Sequence, residues 1–446
     1  MEIKPNIFKA YDIRGIYGEE ITEEAAYLIG KAFVDFFKCK QVVVGRDMRD
    51  SSPSLFDALA KGIVEQGADV IDVGMVATPM LSFAVMKWNV EAGIMISASH
   101  NAGKYNAFKL IKNGKSGALQ IHQDNGIEAL KKMVLENNFQ KSTNGGKITE
   151  KSIDIEYYEH INQFTSNVKD LKIVVDYGNG VGALSSSEIF NKLPIDTIEL
   201  FKMPDASFPN HEANPHDIAN FETLQNKIRE EKADLGIFYD GDADRSIIID
   251  ENGDVIFPDV ELGILALEEL KKYPDETFYY DLRFSKSVPE LIEEKGGKAI
   301  MLRVGNPFYK EALSKAGILA AEFSGHIMFK EHFNIDDGLF AAVKFMDAMC
   351  STKKSASELA KPFEKYFHTE EINMTVKDAD KALKDVQEKY RDGNLITIDG
   401  LLIQYPDWWL SLRKSNTEPL VRLRLEADTE KLRDEKRKEI IEIITG

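Results

Sequence analysis

The chain reads as an α/β protein, with three related α/β units in succession and a smaller α+β unit at the C-terminal end. Three observations predict this. Apolar, β-branched runs alternate with helical patterns along most of the sequence. In each of three units an apolar strand ends abruptly in a polar loop, at Ser99, Asp240 and Glu322. From about Thr369 the alternation gives way to short strands and two charged helices. A chain of 446 residues has room for roughly three domains, and the pattern divides it at 1–150, 151–250, 251–367 and 368–446. Ligands of open α/β sheets bind beyond the carboxyl ends of the strands. Three such loops, converging, would line one central cleft.

The first unit opens with an irregular stretch, Phe8-Lys9-Ala10-Tyr11-Asp12-Ile13-Arg14-Gly15-Ile16. A helix is predicted over 22–37 and a β-branched strand over 41–44, ending in Gly45-Arg46-Asp47. The helix over 53–66 has Pro in its first turn, where a missing N–H costs nothing. A strand over 69–73 and a helix over 80–88 lead to the apolar run Gly93-Ile94-Met95-Ile96, which stops at Ser97-Ala98-Ser99-His100-Asn101. A helix over 124–136 and a polar stretch over 137–146 close the unit.

The second unit carries a helix over 153–164, a strand over 171–175, the turn Gly178-Asn179-Gly180-Val181-Gly182, and strands over 235–239 and 246–250. The third alternates helices over 260–272, 287–295 and 308–316 with strands over 277–280, 299–302 and 318–321. It ends in Glu322-Phe323-Ser324-Gly325-His326, then a helix over 338–350. In the last unit a strand over 408–412 runs into Arg413-Lys414-Ser415-Asn416-Thr417-Glu418-Pro419.

Composition narrows the function. A net charge of −18 argues against nucleic acid and against anionic membranes, both of which need a basic face. An anionic substrate would need a few cations set in loops. The two cysteines, Cys39 and Cys350, are expected to be unpaired, apolar helix residues in a reducing compartment. The N-terminal Met1-Glu2-Ile3-Lys4-Pro5 lacks a signal peptide's apolar core, and no run approaches the ~20 residues of a membrane span. A cytoplasmic enzyme is expected.

Asp240, Asp242 and Asp244 alternate with Gly241 and Ala243, so three carboxylates can face one hard cation, and Arg245 follows at once. An EF-hand loop also begins Asp-x-Asp-x-Asp, but its sixth position should be Gly and its flanks helical. Here the sixth residue is Arg245 and the flanks are β-like. Ser99 and His100 are adjacent, with no third carboxylate to orient them, so a hydrolase triad is a poor reading. A serine that carries a phosphoryl group needs cations and a positioned acceptor instead, and Lys109 lies ten residues on. Glu322 and Ser324 can grip adjacent sugar hydroxyls, and Arg413 to Thr417 can wrap a phosphate. From a different class, Gly178-Asn179-Gly180-Val181-Gly182-Ala183 fits a loose dinucleotide fingerprint. Glu199 is the nearest acidic residue that an NAD-dependent oxidoreductase could use.

Together these loops resemble the α-D-phosphohexomutase family, within it the phosphomannomutase and phosphoglucomutase members, over nearly the whole chain and in the same order. The resemblance runs through Phe8 to Gly15, Gly45-Arg46-Asp47, the Ser99 loop with Tyr105-Asn106 and Phe108-Lys109, Phe208-Pro209-Asn210, Asp240 to Arg245, Glu322 to His326, and Arg413 to Pro419. It implies four domains around a central cleft, the fourth mobile. By it Ser99 would be the phosphoserine, and Ser99, Asp240, Asp242 and Asp244 would bind Mg²⁺. Arg14, Lys109 and Arg245 would be catalytic. Tyr11, Glu322, Ser324, His326, Arg413, Ser415, Asn416 and Thr417 would hold the substrate.

The implied reaction interconverts hexose 1-phosphate and 6-phosphate through a 1,6-bisphosphate, which also serves as activator. The sugar would be mannose or glucose; phosphoglucosamine is the alternative. The enzyme would be a monomer or dimer. Two positions depart from the family pattern: Ala102 stands where Pro is usual, and Asn306 where His is usual. Asn cannot act as an acid or base near neutral pH, so proton transfer would fall to Lys109 or Arg14.

Overall fold

The alternating pattern folds as expected into α/β layers. The structure is a computed structural model and describes residues 3–140, 142, 145–414 and 420–445. The chain forms two units: Met1–Pro258 with Gly305–Ser357, and Asp259–Val304 with Glu358–Gly446.

In the first unit, the parallel strands Gln41–Arg46, Asp69–Met75 and Ala92–Ile96 make the centre of a seven-stranded sheet. The strand Ala92–Ile96 is buried on both faces, which explains its unbroken apolar run. Its neighbour, Tyr105–Asn113, is antiparallel to it, with Met95 opposite Lys109. That strand was not anticipated, because Asn106, Lys109 and Lys112 interrupt its apolar pattern. The stretch read as irregular also contains a strand, Ile13–Ile16, antiparallel to Tyr105–Asn113. The Ser99 loop is therefore the tip of a hairpin at the carboxyl edge of the sheet.

Helix Glu23–Phe37 begins where predicted. The Thr22 side chain accepts from the Ala25 N–H, and Glu23 and Glu24 sit in the first turn, where the helix dipole favours acids. Cys39 is buried just beyond this helix, not within it, and neither cysteine is in a disulfide.

The second sheet of this unit places Lys172–Asp176 between the parallel strands Asp196–Leu200 and Leu235–Tyr239. Leu235–Tyr239 and Ser246–Asp250 form an antiparallel hairpin, with Tyr239 opposite Ser246. The flanks of the Asp240–Arg245 loop are thus strands, as the sequence indicated against an EF-hand. A third group, Leu319–Ala321, Ile327–Phe329 and Ile335–Asp336, is antiparallel and leads into helix Gly338–Thr352.

In the second unit, Thr277–Asp281 and Lys298–Leu302 pair in parallel. The C-terminal part is an antiparallel sheet ordered through Phe367–His368, Leu420–Ala427, Trp408–Lys414, Leu401–Gln404 and Asn394–Ile396. Helices Ala379–Lys389 and Glu430–Thr445 cover it, with Val386, Leu410, Leu423 and Ile440 in the shared core. No helix among the described residues is long and apolar enough to cross a membrane.

Candidate active site

Ser99 sits in the left-handed backbone region at φ 53° and is almost fully buried. A non-glycine residue there needs a surrounding structure that imposes it. Arg49, which the sequence reading missed, supplies much of it. Its guanidinium is buried and donates to four carbonyls of the loop: Ser99 (2.9 Å), Asn101 (2.5 Å), Ala102 (2.8 Å) and Tyr105 (3.0 Å). Asp47 balances it at 3.0 Å. The loop that lacks a proline at Ala102 is thus held by a cation instead. Arg14 adds a second tie, donating to Ala98 O and to the Asn101 side chain while paired with Asp12 at 2.6 Å.

The Asp loop comes against this turn. A Cβ on Gly241 would lie 2.5 Å from the Ser99 carbonyl, so only glycine fits. Ser99 Oγ donates to Asp240 Oδ2 at 2.7 Å and accepts from Arg245 Nη2 at 2.8 Å. Arg245 also donates to Asp240 Oδ2, at 2.6 Å, and to His100 Nδ1, at 2.5 Å. Burial and the neighbouring Arg245 push the His100 pKa well down, so its ring is neutral and serves Arg245 as an acceptor.

Asp240, Asp242 and Asp244 offer carboxylate oxygens that lie within 4.8 Å of one another, all buried. Lys109 reaches between two of them, 2.5 Å from Asp242 Oδ2 and from Asp244 Oδ2. Burial opposes its charge, but the three carboxylates outweigh this and raise its pKa well above the ordinary range. It is a fixed cation in this arrangement, not a base. Burial also raises Asp240, to about 6, against the pull of Arg245. Asp242 is held well below the usual range, since Lys109 and the Thr78 hydroxyl overcome its burial.

Asp242 Oδ1 and Asp244 Oδ1 have no hydrogen-bond partner among the described residues, and three clustered carboxylates suit a hard divalent cation. The donor set fits such an ion. Asp244, His326 and Asp336 make a second group of possible ligands. There Lys310 sits 2.6 Å from Asp336 Oδ1, much as Lys109 sits against Asp242 and Asp244.

The Glu322–His326 turn lies in the same unit. The Glu322 N–H donates to the His326 carbonyl at 2.9 Å, and Gly325 takes a positive φ of 98° to close the turn. Ser324 Oγ is buried and has no hydrogen-bond partner among the described residues. His326 Nδ1 is 2.9 Å from Asp336 Oδ2 and 3.7 Å from Asp244 Oδ1. Burial works against its charge, but these two carboxylates raise its pKa. Asn306 donates to Asp336 and so belongs to this cluster, which sequence spacing alone could not reveal. Tyr11 packs edge-on against Phe308 with ring centroids 6.2 Å apart.

Arg413 lies in the second unit, 3.1 Å from Asp399. Ser415, Asn416 and Thr417 lie outside the described residues. The glycine turn at Gly178 is not shaped for a dinucleotide. A Cβ on Gly180 would come 2.6 Å from the Gly241 carbonyl, so the close approach serves the Asp loop, and Glu199 is bound to Tyr177 and Lys202.

Four family models match in order: phosphoglucomutase/phosphomannomutase alpha/beta/alpha domain I at residues 5–138, domain II at 155–253, domain III at 258–366, and the C-terminal domain at 371–443. A phosphomannomutase of Methanocaldococcus jannaschii is 37% identical, the match covering 98% of this chain and 97% of the relative. A phosphoglucomutase of Neisseria meningitidis is 36% identical, covering 96% and 94%. Among solved structures, a phosphoglucomutase/phosphomannomutase family protein from Burkholderia thailandensis superposes with a TM-score of 0.91 at 32% identity, covering 99% of this chain and 97% of that one. With matches spanning all four domain models and nearly the full chain, the protein belongs to the phosphoglucomutase/phosphomannomutase family, the α-D-phosphohexomutases.

Proposed function

We propose that this phosphohexomutase carries its phosphoryl group on Ser99 and interconverts hexose 1-phosphate and hexose 6-phosphate, with mannose or glucose as the sugar. The observation that carries the reading is the setting of Ser99 Oγ: a carboxylate oxygen at 2.7 Å and a guanidinium nitrogen at 2.8 Å, themselves paired, beside a cluster of three carboxylates able to hold a cation. A hydrolase would need a base to activate the serine, and His100 Nδ1, 3.2 Å from Oγ, is instead engaged by Arg245. The relatives include enzymes named for glucose and for mannose, which differ only at the C2 hydroxyl.

Asp240, Asp242 and Asp244, with an oxygen on Ser99, are the residues that would hold Mg²⁺. When bound, the ion neutralises charge on the transferring group. In the first transfer the bond between Ser99 Oγ and phosphorus breaks as the free hydroxyl of the bound hexose monophosphate attacks; the hydroxyl's proton ends on the released Ser99 Oγ, and a 1,6-bisphosphate forms. In the second, Ser99 Oγ attacks the other phosphoryl group, the bond from that phosphorus to the sugar oxygen breaks, and the serine's proton ends on that oxygen. Arg245 and Lys109 contribute fixed positive charge to both, and such electrostatic positioning is the main protein contribution to phosphoryl transfer.

Arg14 holds the loop, and Tyr11, packed on Phe308, is assigned to the substrate. Glu322, Ser324 and His326 are assigned to the sugar's hydroxyls. Arg413 with Ser415, Asn416 and Thr417 is assigned to the phosphate that is not reacting.

The test is peptide-mass analysis after incubation with glucose 1,6-bisphosphate and Mg²⁺. A phosphoryl adduct on Ser99, with turnover of mannose or glucose 1-phosphate, supports the reading. An unmodified Ser99 under those conditions overturns it.

A further inference from the structure

The glycine turn after the strand Lys172–Asp176 has no part in the chemistry above, yet two separate pieces of the molecule are fastened to it. On one side it meets the Asp loop: Val181 N donates to Gly241 O at 3.0 Å. On the other it anchors residues 201–216, a segment without regular secondary structure.

Asn179, in the left-handed region at φ 57°, makes most of these ties. Its N–H donates to Phe201 O at 3.0 Å, and its side-chain amide donates to Met203 O at 2.8 Å. Its backbone carbonyl accepts from Asp205 N at 2.8 Å, and its side-chain oxygen accepts from Asn210 Nδ2 at 2.7 Å. A second anchor is the pair His211 and Asp176. His211 Nε2 lies 3.0 Å from Asp176 Oδ2 and 3.2 Å from Oδ1, with its ring between Phe201 and Phe238.

The segment so anchored lies on the Ser99 loop. A Cβ on Gly103 would collide with the Ala206 carbonyl, and the tip of the Phe208 ring is 3.7 Å from the place a Gly241 Cβ would take. The Arg49 guanidinium, which holds four carbonyls of the loop, stands 5.8 Å from the Phe208 ring centroid, within cation–π range. At the far end His216 Nε2 is 3.5 Å from Arg245 Nη1, and its ring lies 5.9 Å from that of His100.

We infer that residues 201–216 form a strap that presses the Ser99 loop into its reactive geometry, and that Asn179 and His211 are positioning residues for the transfer. The inference rests on Ser99 as the phosphoryl carrier for its catalytic meaning, but the mechanical coupling does not depend on that. Backbone strain at Ser99 must be imposed by its surroundings. Arg49 grips the loop from within, and the strap bears on both the loop and Arg49 from outside. Loosening the strap leaves substrate contacts in place but spreads the orientation of Ser99 Oγ, so it lowers kcat with little change in KM.

The experiment compares His211→Ala, His211→Gln and Asn179→Ala with the wild type in the full chain, by hydrogen–deuterium exchange and by steady-state kinetics. The Asn101 and Tyr105 amides, bonded to Ala98 O and Ala102 O within the loop, are the reporters. Their exchange should rise about tenfold in His211→Ala and Asn179→Ala, with kcat about tenfold lower and KM within about twofold. His211→Gln keeps a donor to Asp176 and should restore most of both. Unchanged exchange at the two amides in the folded alanine variants overturns the strap. If Asn179→Ala does not fold, the His211 pair alone decides. Faster exchange without any wild-type mutase activity would keep the coupling and reject the catalytic reading.

Discussion

Ser99 Oγ donates its hydrogen to Asp240 Oδ2 at 2.7 Å, across 141 residues of sequence. If Ser99 carries the phosphoryl group, as proposed, that hydrogen is gone, and a dianion faces the carboxylate. Like charges at this range repel by several kcal/mol even at an effective dielectric of about 20. A divalent cation between them removes the repulsion. Chelation with EDTA is therefore expected to abolish turnover, and Mg²⁺ to restore it. Asp242→Asn should lower kcat by at least about 10²-fold at saturating Mg²⁺ and raise the Mg²⁺ concentration for half-activity. Unaltered metal dependence in that variant would move the ion elsewhere.

Ser99→Ala removes the atom that both Asp240 and Arg245 address. Turnover should fall by about 10³-fold or more, while binding of hexose phosphate, measured by calorimetry, stays within about threefold. Activity near the wild-type level would reject Ser99 as carrier.

Arg49→Met leaves the carbonyls of Ser99, Asn101, Ala102 and Tyr105 without their donor and strands the buried Asp47. Breaking a buried pair on one side costs about 3–5 kcal/mol. A lowered thermal midpoint is expected, with faster proteolysis within the Ser99 loop. An unchanged midpoint would mean that the loop is held chiefly from outside.

Much of this site was legible because its chemistry is local. Asp240, Asp242 and Asp244 alternate on one short hairpin loop, and small residues between them announce the close approach that Gly241 makes to Ser99. The strand Tyr105–Asn113 was not legible, because its lysine and asparagine break the alternation for functional reasons: Lys109 turns into the Asp loop and Asn106 binds Ser51 and Ser52. Arg49 and Asp336 were missed for another reason. The loop carbonyls that Arg49 holds lie 50 or more positions away, and Asn306 lies 30 positions from Asp336; no spacing rule signals a contact of that kind. The glycine turn at Gly178 was seen, but its shape alone could not say whether the backbone it approaches is a ligand's or the protein's own.

Glu261, in the first turn of helix Pro258–Lys272, is fully buried, and neither carboxylate oxygen has a hydrogen-bond partner among the described residues. Burial alone raises its pKa to about 8 from an ordinary 4.5. Between these values the folded state holds a proton that the unfolded state has lost. Its contribution to stability is therefore fully present below pH 4.5, falls as pH rises toward 8, and is gone above it. At about 1.4 kcal/mol per unit, the loss amounts to about 5 kcal/mol. Glu261→Gln should flatten this part of the stability–pH curve and be more stable than the wild type at pH values above about 7. Parallel curves for the two proteins would show that Glu261 finds a partner when ionised.

Asp337 holds the Asp loop from behind. One oxygen caps helix Gly338–Thr352 by accepting from the N–H groups of Leu339 (2.9 Å) and Phe340 (3.2 Å). The other accepts from the Tyr157 hydroxyl at 2.7 Å and lies 2.8 Å from His332 Nε2. The helix so fixed points the Gly338 N–H at Ala243 O, 3.2 Å away, and Ala243 is the left-handed residue, φ 58°, between two of the three carboxylates. Removing the side chain frees the first helical turn and with it the curl of the loop. Asp337→Ala should raise the Mg²⁺ concentration for half-activity by about tenfold, beyond the cost of about 1 kcal/mol for a lost cap alone. Asp337→Asn keeps the capping oxygen and should retain more of the metal affinity. Equal metal affinity in the wild type and the alanine variant would show that the loop keeps its shape without the helix behind it.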